Sequence, residues 1–356
     1  MSGETRERRK TIANIQMLRA LAALGVVGHH IIDSLNNYIG NYNIHIDVGA
    51  RGVDIFFVIS GYIMAYTAMT SQTSPLRFAT DRIFRIVPIY YILTLAASAA
   101  LISGFKLFGQ SFSAQELLLS LSFIPYPHGP ILFVGWTLNY EMFFYAIFCM
   151  SLFFDNRIMS LTVSMLSIVV LCALHSHMSG ALKTLSDPII IEFALGIALL
   201  FILRTTRTPP LIAGMIGLSG FAGLVVPEFV ALGAGSYRAV VATSAFLIVY
   251  SAISLEGSGR YTRSSLVLLL GNASYSLYLI HPFVLQVIGK ISIKTGMNES
   301  WPGLLATVLT MIACSAMAGT ALHLWLEKPM TKWLKGTARG TAGAVALQPT
   351  ASEKLG

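Results

Sequence analysis

Two adjacent histidines, His29 and His30, lie in an otherwise apolar run that also carries Arg19 and Asp33. A histidine beside a carboxylate can take a proton from a hydroxyl near neutral pH, as attack of an alcohol on an acyl carbon requires. Further ionisable groups recur inside apolar runs: Asp54 with Ser60 after it, Glu141 within Gly-Trp-Thr-Leu-Asn-Tyr-Glu, Glu192, His281, and His323 with Glu327. Charge in such a run is costly and normally faces a cavity or a partner. Arg82 and Arg85 stand one helical turn apart, a spacing that suits two guanidinium groups clamping phosphate. Each feature has a plainer alternative. A lone histidine in a bundle, His281 or His323, more often bridges helices. Glu141 beside Trp136 can pin two helices, and an arginine pair at a span end can serve as an anchor. His29 and His30 differ by about 100° around a helix, so spacing alone favours neither. The sequence holds no phosphate-binding glycine loop, no nucleophile elbow and no metal-ligand spacing, so no metal is expected.

Composition sets the elements that must hold these groups. Of 356 residues, 55% are hydrophobic and only 11% charged; the mean hydropathy is +0.69. A soluble domain is about 25% charged. A soluble enzyme, a disordered chain and a nucleic-acid module are therefore excluded. The formal charge of +8 reports membrane topology, not a nucleic-acid partner. Cys149, Cys172 and Cys314 sit in apolar runs and read as small buried hydrophobes.

About 20 largely apolar residues cross a bilayer. Ten stretches qualify: about 15–35, 52–70, 83–104, 131–154, 158–176, 189–203, 211–227, 238–255, 266–289 and 302–326. The run 116–125 ends at Pro125, is too short to span, and reads as re-entrant or interfacial. The long runs do not alternate, which excludes a β-barrel. The expected fold is all-α, a polytopic integral membrane bundle of about ten transmembrane helices. Its span ends on the side of both termini hold 17 Lys and Arg against 6 at the opposite ends, with Arg19 inside a span. Both termini are therefore expected to be cytoplasmic. Residues 1–14 read as a basic cytoplasmic tail, 15–335 as one membrane domain and 336–356 as a disordered cytoplasmic tail. No leader, internal repeat or second domain is expected. His30 and His281 each lie about 15 residues, or about 22 Å, into spans that run the same way. Glu141 and Asp54 fall in the same half of the bilayer. One shared zone is expected, with Asp54, Glu141 or Asp33 orienting a catalytic histidine.

Four segments in this order resemble the acyltransferase-3 family of integral-membrane O-acyltransferases. They are Ile15 to His30 with its Arg19-to-His30 spacing, Gly52-Val53-Asp54-Ile55-Phe56-Phe57-Val58-Ile59-Ser60-Gly61, Arg82-Ile83-Phe84-Arg85-Ile86-Val87-Pro88, and Gly271-Asn272-Ala273-Ser274-Tyr275 on to His281-Pro282. The intervening Gly135-Trp136-Thr137-Leu138-Asn139-Tyr140-Glu141 is similar to the version in succinoglycan-type exopolysaccharide O-acetyltransferases. The resemblance covers roughly residues 14–330. It implies an acetyl-CoA donor, no metal, and a carbohydrate acceptor, either an exopolysaccharide or its lipid-linked repeat unit, at a bacterial inner membrane. It makes His30 the catalytic base rather than His29, with Arg19 in the same cavity and Arg82 and Arg85 on the CoA phosphates. Glu141, Asp54, Ser60, Trp136 and His281 match motif positions without a defined step. Succinyl transfer is the alternative reaction. A transporter or flippase of lipid-linked sugars is a second class, for which inverted repeats would speak. A scaffold in an export complex is a third, but it has no need of intramembrane histidine.

Overall fold

The computed structural model describes residues 12–346 apart from 41, 72, 73, 108, 110 and 111. Among them there is no strand. In chain order the helices are α1 (Ala13–Ser34), α2 (Gly52–Thr70), α3 (Pro75–Ile102), α4 (Ala114–Leu121), α5 (Trp136–Ser151), α6 (Arg157–Ala173), α7 (Gly180–Leu185), α8 (Ile191–Thr205), α9 (Pro210–Val225), α10 (Ala234–Gly257), α11 (Ser265–Asn272), α12 (Ser274–Thr295), α13 (Trp301–Leu322) and α14 (Lys328–Ala346). With their short π or 3-10 extensions, 8 helices are long and apolar enough to cross a membrane. α5 and α6, of 16 and 17 residues, stand where the other two crossings are expected. The chain is a polytopic helical membrane bundle.

α1 runs through the middle, packing on α2, α10, α11, α12 and α13. Its fully buried Ala23 and Val27 leave room for that crowding. α2 and α8 cross at a pair of glycines. A Cβ on Gly61 would overlap the Phe193 carbonyl, and one on Gly196 would overlap that of Val58. Close backbone approach of this kind substitutes for the hydrophobic drive that lipid does not supply.

Four boundaries differ from the sequence reading, each for a local reason. α3 starts at Pro75, where the Ser74 side chain accepts from the Arg77 N–H and proline fits the first turn. Arg82 and Arg85 are therefore inside a helix, not at a span end, and Pro88 lies mid-helix. The fourth crossing does not begin as a helix at 131. Gly129 takes a positive φ of 73° before Pro130, and Ile131, Leu132 and Val134 enter the bundle as buried irregular chain and a 3-10 turn. The ninth crossing is broken at Ala273 into α11 and α12, next to the point where Gly271 abuts the Gln16 backbone of α1. Non-helical backbone at membrane depth is tolerated where it is buried in protein or lines a cavity.

The last helix also differs. Residues from 336 onward, read as disordered, continue α14 as far as Ala346. Lys335 bonds Asp81 at 2.8 Å and Thr331 bonds the Phe84 carbonyl at 3.4 Å, docking α14 on α3. Residues 1–11 of the basic tail and 347–356 lie outside the described residues. The three cysteines are half-buried rather than buried, and free. α4, of 8 residues, does not cross; Tyr90 and Tyr91 of α3 donate to its Ser120 and Leu121 carbonyls.

Candidate active site

Two cavities lie one beyond the other along α1 and α12. The first, of about 190 Å³, takes Gln16 and Arg19 from α1, Ser60 from α2, Arg82 and Arg85 from α3, Glu141 and Tyr145 from α5, and Ser274, Tyr275 and Tyr278 from α12. The second, of about 730 Å³, takes His30, Asp33, Ser34 and Asn37 from α1, Phe133 from the chain entering α5, and Pro282, Gln286 and Lys290 from α12. Both helices thus pass from the arginine cavity to the histidine cavity as they run forward.

In the arginine cavity, Glu141 Oε1 accepts from the hydroxyls of Ser60, at 3.4 Å, and Tyr145. Arg19 bonds Gln16 Oε1 at 3.4 Å. Arg82 lies over the Phe78 ring at 5.8 Å, and its buried Nε has no hydrogen-bond partner. A guanidinium with unused donors in a half-polar slot is suited to an anionic or carbonyl oxygen. Below this slot a π-turn, His323–Glu327, brings Glu327 to within 2.8 Å of His323 Nδ1 and 2.6 Å of Ser276 Oγ.

In the histidine cavity, His30 Nδ1 lies 3.2 Å from Asp33 Oδ2. An ionised carboxylate only accepts, so Nδ1 carries the proton and Nε2 keeps its lone pair. The His30 ring meets Phe133 edge-on at 5.1 Å and stacks on His281 at 5.3 Å. His281 is fully buried; its Nδ1 lies 3.3 Å from the Leu277 carbonyl, while its Nε2 has no partner. Beside it Tyr278 donates to the Val134 carbonyl at 2.9 Å. Tyr278 lines the arginine cavity and Phe133 the histidine cavity, and His281 is buried behind His30.

The structure therefore separates what the sequence reading put in one zone. Arg19, Ser60, Arg82, Arg85 and Glu141 come together. His30 and His281 form a second group. Of the three proposed orienting carboxylates, Asp33 is the one at His30. Glu141 lies one cavity away because α5 starts at Trp136, already inside the bundle, and Glu141 is more than a turn further in. Asp54 faces neither cavity. It is buried against Arg238 Nη1 at 3.3 Å, on the side of α2 that packs on α8 and α10. Trp136 is 37% exposed and meets Tyr140 edge-on, outside both cavities. The sequence reading quotes Thr137, Tyr145, Tyr275 and Tyr278 within motifs but gives none of them a role, although Thr137 and Tyr145 flank Glu141 one turn to either side and all four line the arginine cavity.

Residues 12–319 match the family model described as an acyltransferase domain. The chain belongs to the acyltransferase-3 family. It is 34% identical over 315 residues to the exopolysaccharide production protein ExoZ of Rhizobium meliloti strain 1021, covering 85% of this chain and 95% of that one. It is 26% identical over 360 residues to the acyltransferase MdmB of Streptomyces mycarofaciens, covering 89% and 91%. A stretch of 98 residues is 34% identical to the peptidoglycan O-acetyltransferase OatA of Listeria monocytogenes, covering 26% of this chain and 14% of that one. No solved structure matches the chain. As a member of the acyltransferase-3 family, the protein is a multi-pass membrane O-acyltransferase, and the resemblance read from its motifs holds along nearly the whole bundle.

Proposed function

We propose that the protein moves an acetyl group from acetyl-CoA to a hydroxyl of an exopolysaccharide or of its lipid-linked repeat unit, in a bacterial inner membrane with both termini cytoplasmic. The observation that carries this reading is the pair of unequal cavities that follow one another along α1 and α12, arginines lining the first and His30 with Asp33 the second. The arginine cavity of about 190 Å³ has room for roughly six waters at about 30 Å³ each. That suits a narrow arm ending in a thioester. Arg82 and Arg85, on the early turns of α3, are placed to meet phosphate oxygens as that arm enters. The histidine cavity of about 730 Å³ is within the range of pockets that enclose a drug-sized ligand, and Asn37, Gln286 and Ser34 offer hydrogen bonds to sugar hydroxyls.

In the proposed step, His30 Nε2 accepts the acceptor's hydroxyl proton as its oxygen attacks the acetyl carbon. The C–S bond then breaks, and the CoA sulfur leaves and takes up the proton that His30 holds. Asp33 keeps the proton on Nδ1 and stabilises the imidazolium that forms. The exopolysaccharide acceptor is supported by the similarity to the exopolysaccharide production protein ExoZ, and acetyl by that to the peptidoglycan O-acetyltransferase OatA. The test is purified protein in lipid, given acetyl-CoA and a de-acetylated glycan. Free CoA and an ester on the glycan are expected in equal amounts. CoA release without an ester, or transfer from succinyl-CoA alone, would overturn the reading.

A further inference from the structure

His29 has no part in the transfer step, yet each of its ring nitrogens faces a carboxylate. Its Nε2 lies 3.5 Å from Asp33 Oδ2, the same oxygen that His30 Nδ1 approaches at 3.2 Å. One ligand atom from each of His29, His30 and Asp33 falls within 4.8 Å of the others. Bonds of about 2.0–2.1 Å to a tetrahedral first-row cation place its ligand atoms roughly 3.3–3.4 Å apart. The two measured separations bracket that edge. The other nitrogen of His29 completes the pattern. Nδ1 is buried, has no hydrogen-bond partner, and faces Asp47 Oδ1 at 3.5 Å. A metal-bound histidine commonly donates its second N–H to a carboxylate, which fixes ring orientation and raises ligand basicity.

Asp47 is set in place by the loop before α2. Gly49 abuts Gly25 of α1 so closely that a Cβ on it would overlap the Gly25 carbonyl. The Asp47 N–H donates to Glu228 Oε2 at 3.0 Å, and Glu228 pairs with Arg51 at 2.8 Å. The arrangement is built rather than incidental. Sequence spacing did not show it because two ligands are neighbours in the chain and the supporting carboxylate comes from a separate loop.

We infer that His29, His30 and Asp33 form a site for a divalent transition-metal ion such as Zn²⁺ at the wall of the histidine cavity, with Asp47 as the outer partner of His29. Water or an acceptor oxygen completes the coordination. When the ion is bound, His30 coordinates through Nδ1 and its proton moves to Nε2. His29 keeps its Nδ1 proton toward Asp47. His30 Nε2 then has no lone pair for a hydroxyl proton, so the ion acts as a brake on transfer. The brake rests on the His30 role proposed above; the binding does not.

The test uses untagged full-length protein in detergent, stripped with chelator and titrated with Zn²⁺, and with Co²⁺ for its tetrahedral absorption. One saturable equivalent per chain is expected, lost in His29→Ala and in Asp33→Asn, and weakened about 10–100-fold in Asp47→Asn. In the transfer assay, Zn²⁺ should inhibit the wild type, whereas His29→Ala should stay active and insensitive. Absence of a saturable equivalent, or one that persists in both His29→Ala and Asp33→Asn, overturns the site. Binding without inhibition leaves the site standing and removes His30 as the base. Inhibition equal in wild type and His29→Ala overturns the brake.

Discussion

In the proposed reading, donor recognition turns on Arg82 and Arg85. A guanidinium that loses a charge-assisted contact to phosphate should cost about 1.5–3 kcal/mol. Arg82→Ala and Arg85→Ala are therefore expected to weaken acetyl-CoA binding by one to two orders of magnitude, measured by isothermal titration on the detergent-purified protein. Arg→Lys should recover only part, because an ammonium lacks the planar fork. Unchanged affinity in a folded double variant would return both residues to anchoring α3. Glu141 differs in kind. Its Oε1 is shared between Ser60 and Tyr145, so it orders the slot instead of reaching into it. That role was hard to see in advance. The sequence marks Glu141 as a costly charge in an apolar run, but only the fold shows that its partners are hydroxyls.

At the level of elements, the α2–α8 crossing carries the sharpest expectation. Gly61 and Gly196 meet backbone, not flexible side chain, so an added side chain must drive the helices apart. Overpacking costs typically about 1–3 kcal/mol, and Gly61→Val should lower the thermal unfolding midpoint in detergent; an unchanged midpoint would show that the helices cross further apart. Apolar run length made most of the spans legible, since a continuous stretch such as 52–70 has no other soluble or barrel solution. It failed where chain enters the bundle without being helical. Hydropathy cannot separate a buried 3-10 turn at Phe133–Gly135 from the start of α5, and that error carried Glu141 into the wrong cavity. Nor does hydropathy show the break at Ala273, next to the contact of Gly271 with the Gln16 backbone of α1. The Arg82–Arg85 pair and the His30–Asp33 pair were readable because their members are near in sequence, whereas Arg19, expected beside His30, lies instead in the cavity of Arg82 and Arg85. Asp54 was misplaced because Arg238 lies 184 positions away.

For the whole molecule, the basic residues sort by side, and those on the poorer side are partly neutralised. Arg51 is paired with Glu228 and Arg238 with Asp54, but orientation follows the Lys and Arg count itself, 17 against 6. Reporter fusions after Lys10, near Arg207 and after Lys335 should read cytoplasmic, and one near Lys183 should read outside. A cytoplasmic reading at Lys183 would break the ten-crossing arrangement. In the proposed orientation the arginine cavity would face the cytoplasmic supply of donor and the histidine cavity would face outward, which would divide donor binding from acceptor activation. The most direct measurement of this division compares acetyl-CoA binding and acetyl transfer in the same preparations of wild type, His30→Ala and His281→Ala. His30→Ala should bind acetyl-CoA as the wild type does while transfer falls by about 10²–10⁴, the worth of a positioned base. Near-normal transfer by His30→Ala, with His281→Ala inactive, would contradict it and move the base to α12.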